Sequence, residues 1–288
     1  EKGPLMLAAN HPNSFLDAII LDALFHQPIW SLARGDVFKK KWARKILRAL
    51  KILPVYRVSE GVENLSSNYD TFNSCIEIFK QKGIVLIFSE GKCINEWHLR
   101  PLKKGTARLA MSCWKQQIPL RVLPVAINYS SFREYGKNLS LYFGTPIESG
   151  ILNNGHSEGQ SLVAFNNELQ SQLSQYVYEI APEDDNKKQS LLHLPISPLK
   201  KILFALPAGL GLLLHAPLYL PVKSWLQKKL KDSDHYDSIQ FGMLLLLYPV
   251  YVMLIAVVLL LITGSAFSWL IVMLMPLFAY CALHLKKQ

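Results

Sequence analysis

Residues 84–88 read Ile-Val-Leu-Ile-Phe and are followed at 89–92 by Ser-Glu-Gly-Lys. A continuous apolar run that ends in a turn is typical of a strand buried on both faces of a parallel sheet. Further apolar runs at 5–9, 29–33 and 121–128 alternate with segments of helical periodicity. This alternation predicts an α/β domain with a mostly parallel sheet flanked by helices on both faces.

The composition divides the 288-residue chain into two unlike parts. With 50% hydrophobic and only 18% charged residues, it is excluded from the disordered class. The stretch from Ser238 to Leu285 contains no Asp, Glu, Lys or Arg. Within it, Gly242–Ile262 and Ala266–Leu285 are each long enough to cross a bilayer at about 1.5 Å per residue. We therefore predict a C-terminal transmembrane hairpin.

A third apolar stretch, 202–220, is interrupted by prolines and glycines. If it crossed the membrane, the lysines that follow it and those that end the chain would all lie on the outer side. That arrangement opposes the positive-inside rule. We therefore favour a re-entrant or interfacial segment here, with every soluble part of the protein facing the cytoplasm.

The cysteines give no sign of a disulfide framework or a zinc site, because Cys75, Cys93, Cys113 and Cys281 have no paired spacing. A reduced, cytosol-facing environment suits them. Cys93 and Ser89 are weak candidates for a nucleophile, since neither lies in a Gly-x-Ser-x-Gly turn or beside a local base.

His11 and Asp17 flank the start of a predicted helix, directly after the first apolar run. Residues 10–14 (Asn-His-Pro-Asn-Ser) indicate a loop, and α/β folds place reactive groups at such strand ends. Asp17 could orient one ring nitrogen of His11 while the other takes a proton from a hydroxyl. A plain turn, with Asp17 stabilising the helix N-terminus, is the alternative.

Glu90 and Gly91 follow the run at 84–88, where a carboxylate could lie in a cleft and orient a substrate hydroxyl. An ordinary turn is the alternative. Four cations are expected at strand ends and a helix N-terminus: Arg57, Arg100, Lys103 and Lys104. Such a group can bind an anion, although for any single lysine a solvated face is the favoured explanation.

Between Arg34 and Arg57 lie nine Lys or Arg, these two included, against the single acid Asp36. The apolar residues between them recur at helical spacing, which predicts a basic amphipathic helix at a membrane surface. Nucleic acid is the rival partner, but the hydrophobic hairpin favours lipid. The predicted membrane-surface residues are Lys39, Lys40, Trp42, Arg44, Lys45 and Arg48.

The order of these pieces resembles the glycerolipid acyltransferase family, which includes lysophosphatidate and glycerol-3-phosphate acyltransferases. The matching blocks are Asn10-His11 with Asp17, Gly35 through Arg57, Phe88-Ser89-Glu90-Gly91, Lys103-Lys104-Gly105, Leu123-Pro124-Val125 and Phe143–Ile147. The resemblance covers residues 5 to 148. Two features depart from it: the spacer from His11 to Asp17 is one residue longer than usual, and Ser89 and Lys92-Cys93 replace commoner residues.

The resemblance implies a role for each matching residue. His11 is the general base, and Asp17 holds its tautomer, so that a hydroxyl attacks an acyl thioester without an acyl-enzyme. Glu90 and Gly91 shape the acceptor site. Arg57 binds the acceptor phosphate, helped by the cations Lys92, Arg100, Lys103 and Lys104. No cofactor and no metal are implied, only acyl-CoA or acyl carrier protein as co-substrate.

These inferences predict four regions: an acyltransferase catalytic domain at 1–181, a linker at 182–197, a re-entrant or interfacial segment at 198–240 and a two-helix transmembrane hairpin at 241–288. A missing N-terminal piece is also expected, because the chain enters a strand pattern almost at once.

Three functions stay open. The preferred acceptor is lysophosphatidate, that is 1-acyl-glycerol-3-phosphate. The longer spacer and the late membrane segments resemble some eukaryotic glycerol-3-phosphate acyltransferases and make glycerol-3-phosphate the alternative. A non-catalytic, lipid-binding membrane module is the third.

Overall fold

The structure, a computed structural model, describes residues 3–56, 65–152, 157–193 and 195–286. Arg57 lies outside the described residues. The chain divides into two compact units, of which the first contains residues up to Asn128 and Ser140–Glu179, and the second contains Tyr129–Leu139 and Ile180–Gln288.

Six strands form one sheet, with the order β3-β2-β4-β1-β5-β6. β1 pairs in parallel with β4 and β5, and β2 pairs in parallel with β3 and β4. The mostly parallel sheet predicted from the sequence is thereby confirmed. The strands are β1 (Leu5–Ala9), β2 (Ile29–Arg34), β3 (Ile52–Val55), β4 (Ile84–Phe88), β5 (Arg121–Tyr129) and β6 (Leu139–Phe143).

The helices of the first unit are α1 (Phe15–Asp22), α2 (Lys41–Ala49), α3 (Leu65–Lys80), α4 (Gly105–Lys115) and α5 (Glu158–Ser174). The segment at 36–52, which has helical spacing throughout, is divided in the structure. A short 3-10 helix at Gly35–Phe38 precedes α2, and the extended backbone of Lys40 separates the two.

The core lies on both faces of the sheet. Every residue of β1 is fully buried, and alternate side chains of a strand point to opposite faces. Met6 and Val85 belong to a cluster with Phe79 of α3, Trp114 of α4 and Phe165 of α5. Because β1 and β4 are covered on both sides, their carboxyl ends are held rigidly side by side.

Two cysteines are part of this core. Burial raises the pKa of the Cys75 and Cys113 thiols to about 12, so that both stay protonated and act as small apolar side chains.

The helices of the second unit are α6 (Asp185–Leu192), α7 (Pro198–Leu230), α8 (Tyr236–Thr263) and α9 (Ile271–Lys286). α6 occupies part of the predicted linker, where the Asp184 side chain caps its first turn by accepting from Lys187 N. The 202–220 stretch belongs to the continuous helix α7, despite the interior prolines Pro207, Pro217 and Pro221. Among the described residues, three helices are long and apolar enough to cross a membrane: Pro198–Leu230, Tyr236–Thr263 and Ala266–Leu285.

Two side chains bond to backbone carbonyls of α7 in the two turns before Pro217. The Tyr251 hydroxyl of α8 donates to the Leu214 carbonyl at 2.7 Å, one turn before Pro217. His215 Nδ1 bonds the Gly211 carbonyl at 2.7 Å. These bonds join α7 to α8 and to its own preceding turn.

The loop at 129–139, between β5 and β6, belongs to the second unit. Its Lys137 forms an ion pair with Asp237 at the start of α8, and both side chains are largely buried. Tyr135 packs against the cluster that contains Val222, Leu226 and Tyr236. The loop that connects two strands of the sheet is therefore a packed component of the helical unit.

We predict opposite effects for two glycines of α7. A Cβ at Gly211 would clash with the backbone carbonyl of Phe278 in α9, whereas a Cβ at Gly209 meets nothing within 4 Å. Gly211→Ala should destabilise the protein by about 1–3 kcal/mol through overpacking. Gly209→Ala should stabilise it by about 0.5–1 kcal/mol, because alanine favours the helix. Thermal unfolding in detergent measures both, and a shift of the same sign would contradict the close α7–α9 approach.

Candidate active site

The site is built where β1 and β4 end side by side. Asn10, the first residue after β1, is buried and pairs with the backbone of Ile127 in β5. Its amide donates to the Ile127 carbonyl at 3.0 Å, and its carbonyl accepts from Ile127 N at 2.8 Å. These two hydrogen bonds fix the direction in which the chain leaves β1, and hence the position of His11.

His11 and Asp17 form a hydrogen-bonded pair. His11 Nδ1 lies 2.9 Å from Asp17 Oδ2, and the Asp17 side chain is completely buried while His11 keeps 17% exposure. The same carboxylate oxygen accepts from Asn13 N at 2.9 Å. Because Asp17 engages Nδ1, Nε2 is the ring nitrogen available to take a proton from a substrate.

The local backbone explains how the pair tolerates its longer spacer. α1 begins at Phe15, so the residues from His11 to Ser14 form a loop, and Asp17 lies in the first helical turn. Ser14 has a positive φ of 53°, a conformation that few residues other than glycine adopt. The loop thereby accommodates the additional residue and returns Asp17 to His11.

Phe88, the last residue of β4, holds the face of the His11 ring. The two rings stack with centroids 3.7 Å apart and an angle of 10° between their planes. An aromatic face also attracts a neighbouring cation. Phe88 therefore restricts the orientation of the imidazole and favours the imidazolium that proton abstraction would create.

Glu90 joins three parts of the site. Its Oε2 accepts from His11 N at 2.7 Å, and its Oε1 accepts from Arg100 N at 2.9 Å. Burial raises the pKa of the Glu90 carboxyl, and the two backbone donors oppose this rise. Gly91 follows with a φ of +69°, which permits the tight turn that its N–H closes on the Phe88 carbonyl.

The loop at 89–104 is bonded to the loop after β1. Ile94 N donates to the His11 carbonyl at 3.2 Å, and the Asn95 amide donates to the Pro12 carbonyl at 2.7 Å. At its base, Ser89 Oγ lies 3.0 Å from Thr106 Oγ1, with both side chains buried. Sequence reasoning missed Asn10, Phe88 and Asn95 as parts of the site, because their partners are distant in the chain.

The described cations predicted to bind phosphate have different surroundings. The Arg100 guanidinium lies 3.3 Å from Glu96, and it is the Arg100 backbone that serves Glu90. Lys92, Lys103 and Lys104 are exposed, and the Lys103 stem lies beside Gly91. Anion binding at this edge stays a prediction.

Within the described ranges, no group of three or more His, Cys, Asp or Glu side chains is placed to hold a metal ion. The chemistry that this arrangement itself offers is proton transfer at His11 Nε2, beside a buried carboxylate.

We predict that Glu90→Gln destabilises the protein despite its similar shape. An amide has one acceptor oxygen, so one of the two backbone donors would face an NH2 group, which costs about 1–3 kcal/mol. Glu96→Gln makes the same change at a half-exposed ion pair and should cost at most about 1 kcal/mol. Equal shifts in thermal unfolding would contradict the bridging role of Glu90.

The pH dependence of the free energy of unfolding tests the same Glu90 carboxyl. The pKa of Glu90 is raised above its ordinary value of 4.5, so its contribution to stability is fully present below that value. It is lost as the pH rises through the raised pKa. This loss of stability should be absent from Glu90→Gln when unfolding is measured at a series of pH values from below 4.5 upward.

The comparison with known families agrees with this geometry. The family model described as Acyltransferase matches residues 1–128, the part of the chain that contains His11, Asp17 and Glu90. No curated protein matches the chain significantly. Residues 1–128 therefore constitute an acyltransferase domain of the glycerolipid acyltransferase family, and the protein is an acyltransferase enzyme.

Proposed function

We propose that the protein transfers a fatty acyl group from acyl-CoA or acyl carrier protein to the hydroxyl of 1-acyl-glycerol-3-phosphate, a step of phospholipid biosynthesis. The observation that carries this proposal is the His11–Asp17 pair, 2.9 Å apart, at the carboxyl end of β1. A base oriented by a buried carboxylate is what a hydroxyl needs in order to attack a thioester.

The proposed reaction is a single acyl transfer. His11 Nε2 takes the hydroxyl proton as the oxygen attacks the thioester carbonyl carbon. The tetrahedral intermediate then expels the thiolate, which receives the proton from the imidazolium. Asp17 and Phe88 stabilise the imidazolium between these steps through the Nδ1 hydrogen bond and the ring stack.

The two nearby candidates for a covalent nucleophile are engaged in the structure. Cys93 is buried, and its sulfur accepts from Ser14 N at 2.9 Å. Ser89 is buried beside Thr106. These contacts support direct attack by the acceptor hydroxyl over an acyl-enzyme.

Both the apolar helices and α2 fit a lipid substrate. On α2 and just after it, Trp42, Ile46 and Leu50 recur at intervals of four residues, and each is more than half exposed. Lysines and arginines flank them. Such a helix places its apolar side in the headgroup region and gains about 1 kcal/mol per Lys or Arg on an anionic surface.

We also propose that the acyltransferase domain faces the cytoplasm. With α8 and α9 as the crossing pair and α7 at the interface, the lysines near the end of α7 and those that end the chain lie on the side of the acyltransferase domain, as the positive-inside rule favours. α2 would then orient the site toward acceptors dissolved in the same leaflet, while the apolar helices would hold the protein in the membrane.

Glycerol-3-phosphate is the second candidate acceptor, favoured by the longer spacer between His11 and Asp17 and by the late position of the membrane helices. The chemistry at His11 would be the same. A merely lipid-binding module is less well supported, since the longer spacer leaves the His11–Asp17 bond intact.

The acceptor is tested by offering lysophosphatidate and glycerol-3-phosphate in parallel to the detergent-solubilised protein with radiolabelled acyl-CoA or acyl carrier protein. We expect lysophosphatidate to be acylated. His11→Ala should abolish turnover, and Asp17→Asn should lower kcat by about 10³–10⁴-fold, because the imidazole loses its orienting carboxylate. Acylation of glycerol-3-phosphate alone would identify the second candidate, and undiminished turnover in His11→Ala would refute the mechanism.

The membrane role of α2 is tested in nanodiscs that contain anionic lipid. Trp42→Ser should lower the acylation rate about fivefold, equivalent to about 1 kcal/mol of docking. Tyr69→Ser is the matched control, since Tyr69 is an exposed aromatic side chain of α3. The difference should vanish in detergent with a short-chain acceptor. Equal rates for the two variants in nanodiscs would contradict docking through α2.

A further inference from the structure

A cleft of about 420 Å³ lies in the first unit, between α5 and the segment at 98–102. One wall carries three amide side chains of α5, and the opposite wall carries three apolar residues. The amides are Asn166, Asn167 and Gln170, and the apolar residues are Leu99, Pro101 and Leu102. The volume falls within the range of about 300–1,000 Å³ that is usual for small-molecule sites.

The side chains of the cleft call for a neutral ligand with amide groups. The Asn166 Oδ1 atom is buried and finds no hydrogen-bond donor within the described part of the chain. A buried acceptor without a donor is unfavourable, and rotation of the Asn166 side chain toward the cleft would let a ligand N–H satisfy it. No described residue that lines the cleft is Lys, Arg, Asp or Glu, which disfavours the phosphate of the acceptor as its occupant.

The apolar wall is tied to the reaction centre. Leu99 N donates to Glu179 Oε1 at 2.8 Å, and His98, at the rim, lies 2.6 Å from the other oxygen of Glu179. The next residue, Arg100, donates its backbone N–H to Glu90, which in turn accepts from His11 N. A single carboxylate therefore separates the wall of the cleft from the catalytic histidine.

We propose that this cleft binds the pantetheine arm of the thioester donor, an inference that rests on the acyl transfer proposed above. The arm has two amide groups for the α5 wall and a dimethyl group for the apolar wall, and its sulfur carries the acyl group. It is common to acyl-CoA and acyl carrier protein. The nucleotide of the one and the protein of the other lie outside the cleft.

The test replaces amides of the cleft and compares the kinetics of three donors: acyl-CoA, acyl carrier protein and S-acyl pantetheine. Gln170→Leu and Asn166→Leu should each raise KM for every donor that reacts, by about fivefold to tenfold, the value of one hydrogen bond. KM for the acceptor and kcat at saturating donor should not change. Gln175→Leu is the matched control, because Gln175 is an exposed amide just beyond α5.

The donor series separates the sources of binding. An increase in KM confined to acyl-CoA would overturn the proposal, because the cleft would then recognise the nucleotide. An unchanged donor KM in both variants would also overturn it while leaving acyl transfer intact. Asn167→Ala, an exposed position of the same wall, should raise the donor KM in the same direction if either leucine variant fails to fold.

Desulfo-CoA, which cannot carry an acyl group, measures binding without turnover. Its Kd for the otherwise intact protein should rise about fivefold to tenfold in Gln170→Leu and stay constant in Gln175→Leu. This measurement shows whether the cleft binds the pantetheine arm even if no acceptor is acylated. Failure of acyl transfer and failure of the pantetheine site thus give different results, and equal Kd values in the two variants would overturn the site.

Discussion

The rest of the site depends on the two hydrogen bonds that the Glu90 carboxylate accepts from the backbone. The carboxylate is buried at the end of β4, and its two donors are the N–H groups of His11 and Arg100. One bond fixes the loop that carries His11, the proposed base, and the other fixes the segment that forms one wall of the amide-lined cleft. A side chain that satisfies two backbone donors in this way couples their positions, since neither can move without leaving a buried group unsatisfied.

The parallel sheet makes this arrangement rigid. β1 and β4 are buried on both faces and pair in register, so that Ala9 lies opposite Phe88. The residues that follow the two strands, Asn10 with His11 and Ser89 with Glu90, therefore emerge at the same edge. His11, the stacking ring of Phe88 and the bridging carboxylate are thus brought together by β1 and β4, with the Asn10 bonds to β5 fixing the exit of the chain from β1.

The apolar helices give the acyltransferase domain its physical setting. In the described part of the chain three helices are long and apolar enough to cross a membrane, and the exposed apolar face of α2 suits a lipid surface. With the proposed lipid acceptor, such attachment would let the enzyme meet acceptor and product at their high local concentration in the bilayer.

The sequence by itself determined the parallel sheet, the two apolar C-terminal segments and the blocks that contain His11, Asp17 and Glu90, because periodicity, hydropathy and motif order are local properties. Only the tertiary structure decided that the longer spacer still allows the His11–Asp17 bond, and that Arg100 serves Glu90 through its backbone. It also decided that α7 continues through its prolines and that part of the expected linker is helical. Each of these depends on hydrogen bonds or packing between residues far apart in the chain, which no local pattern encodes.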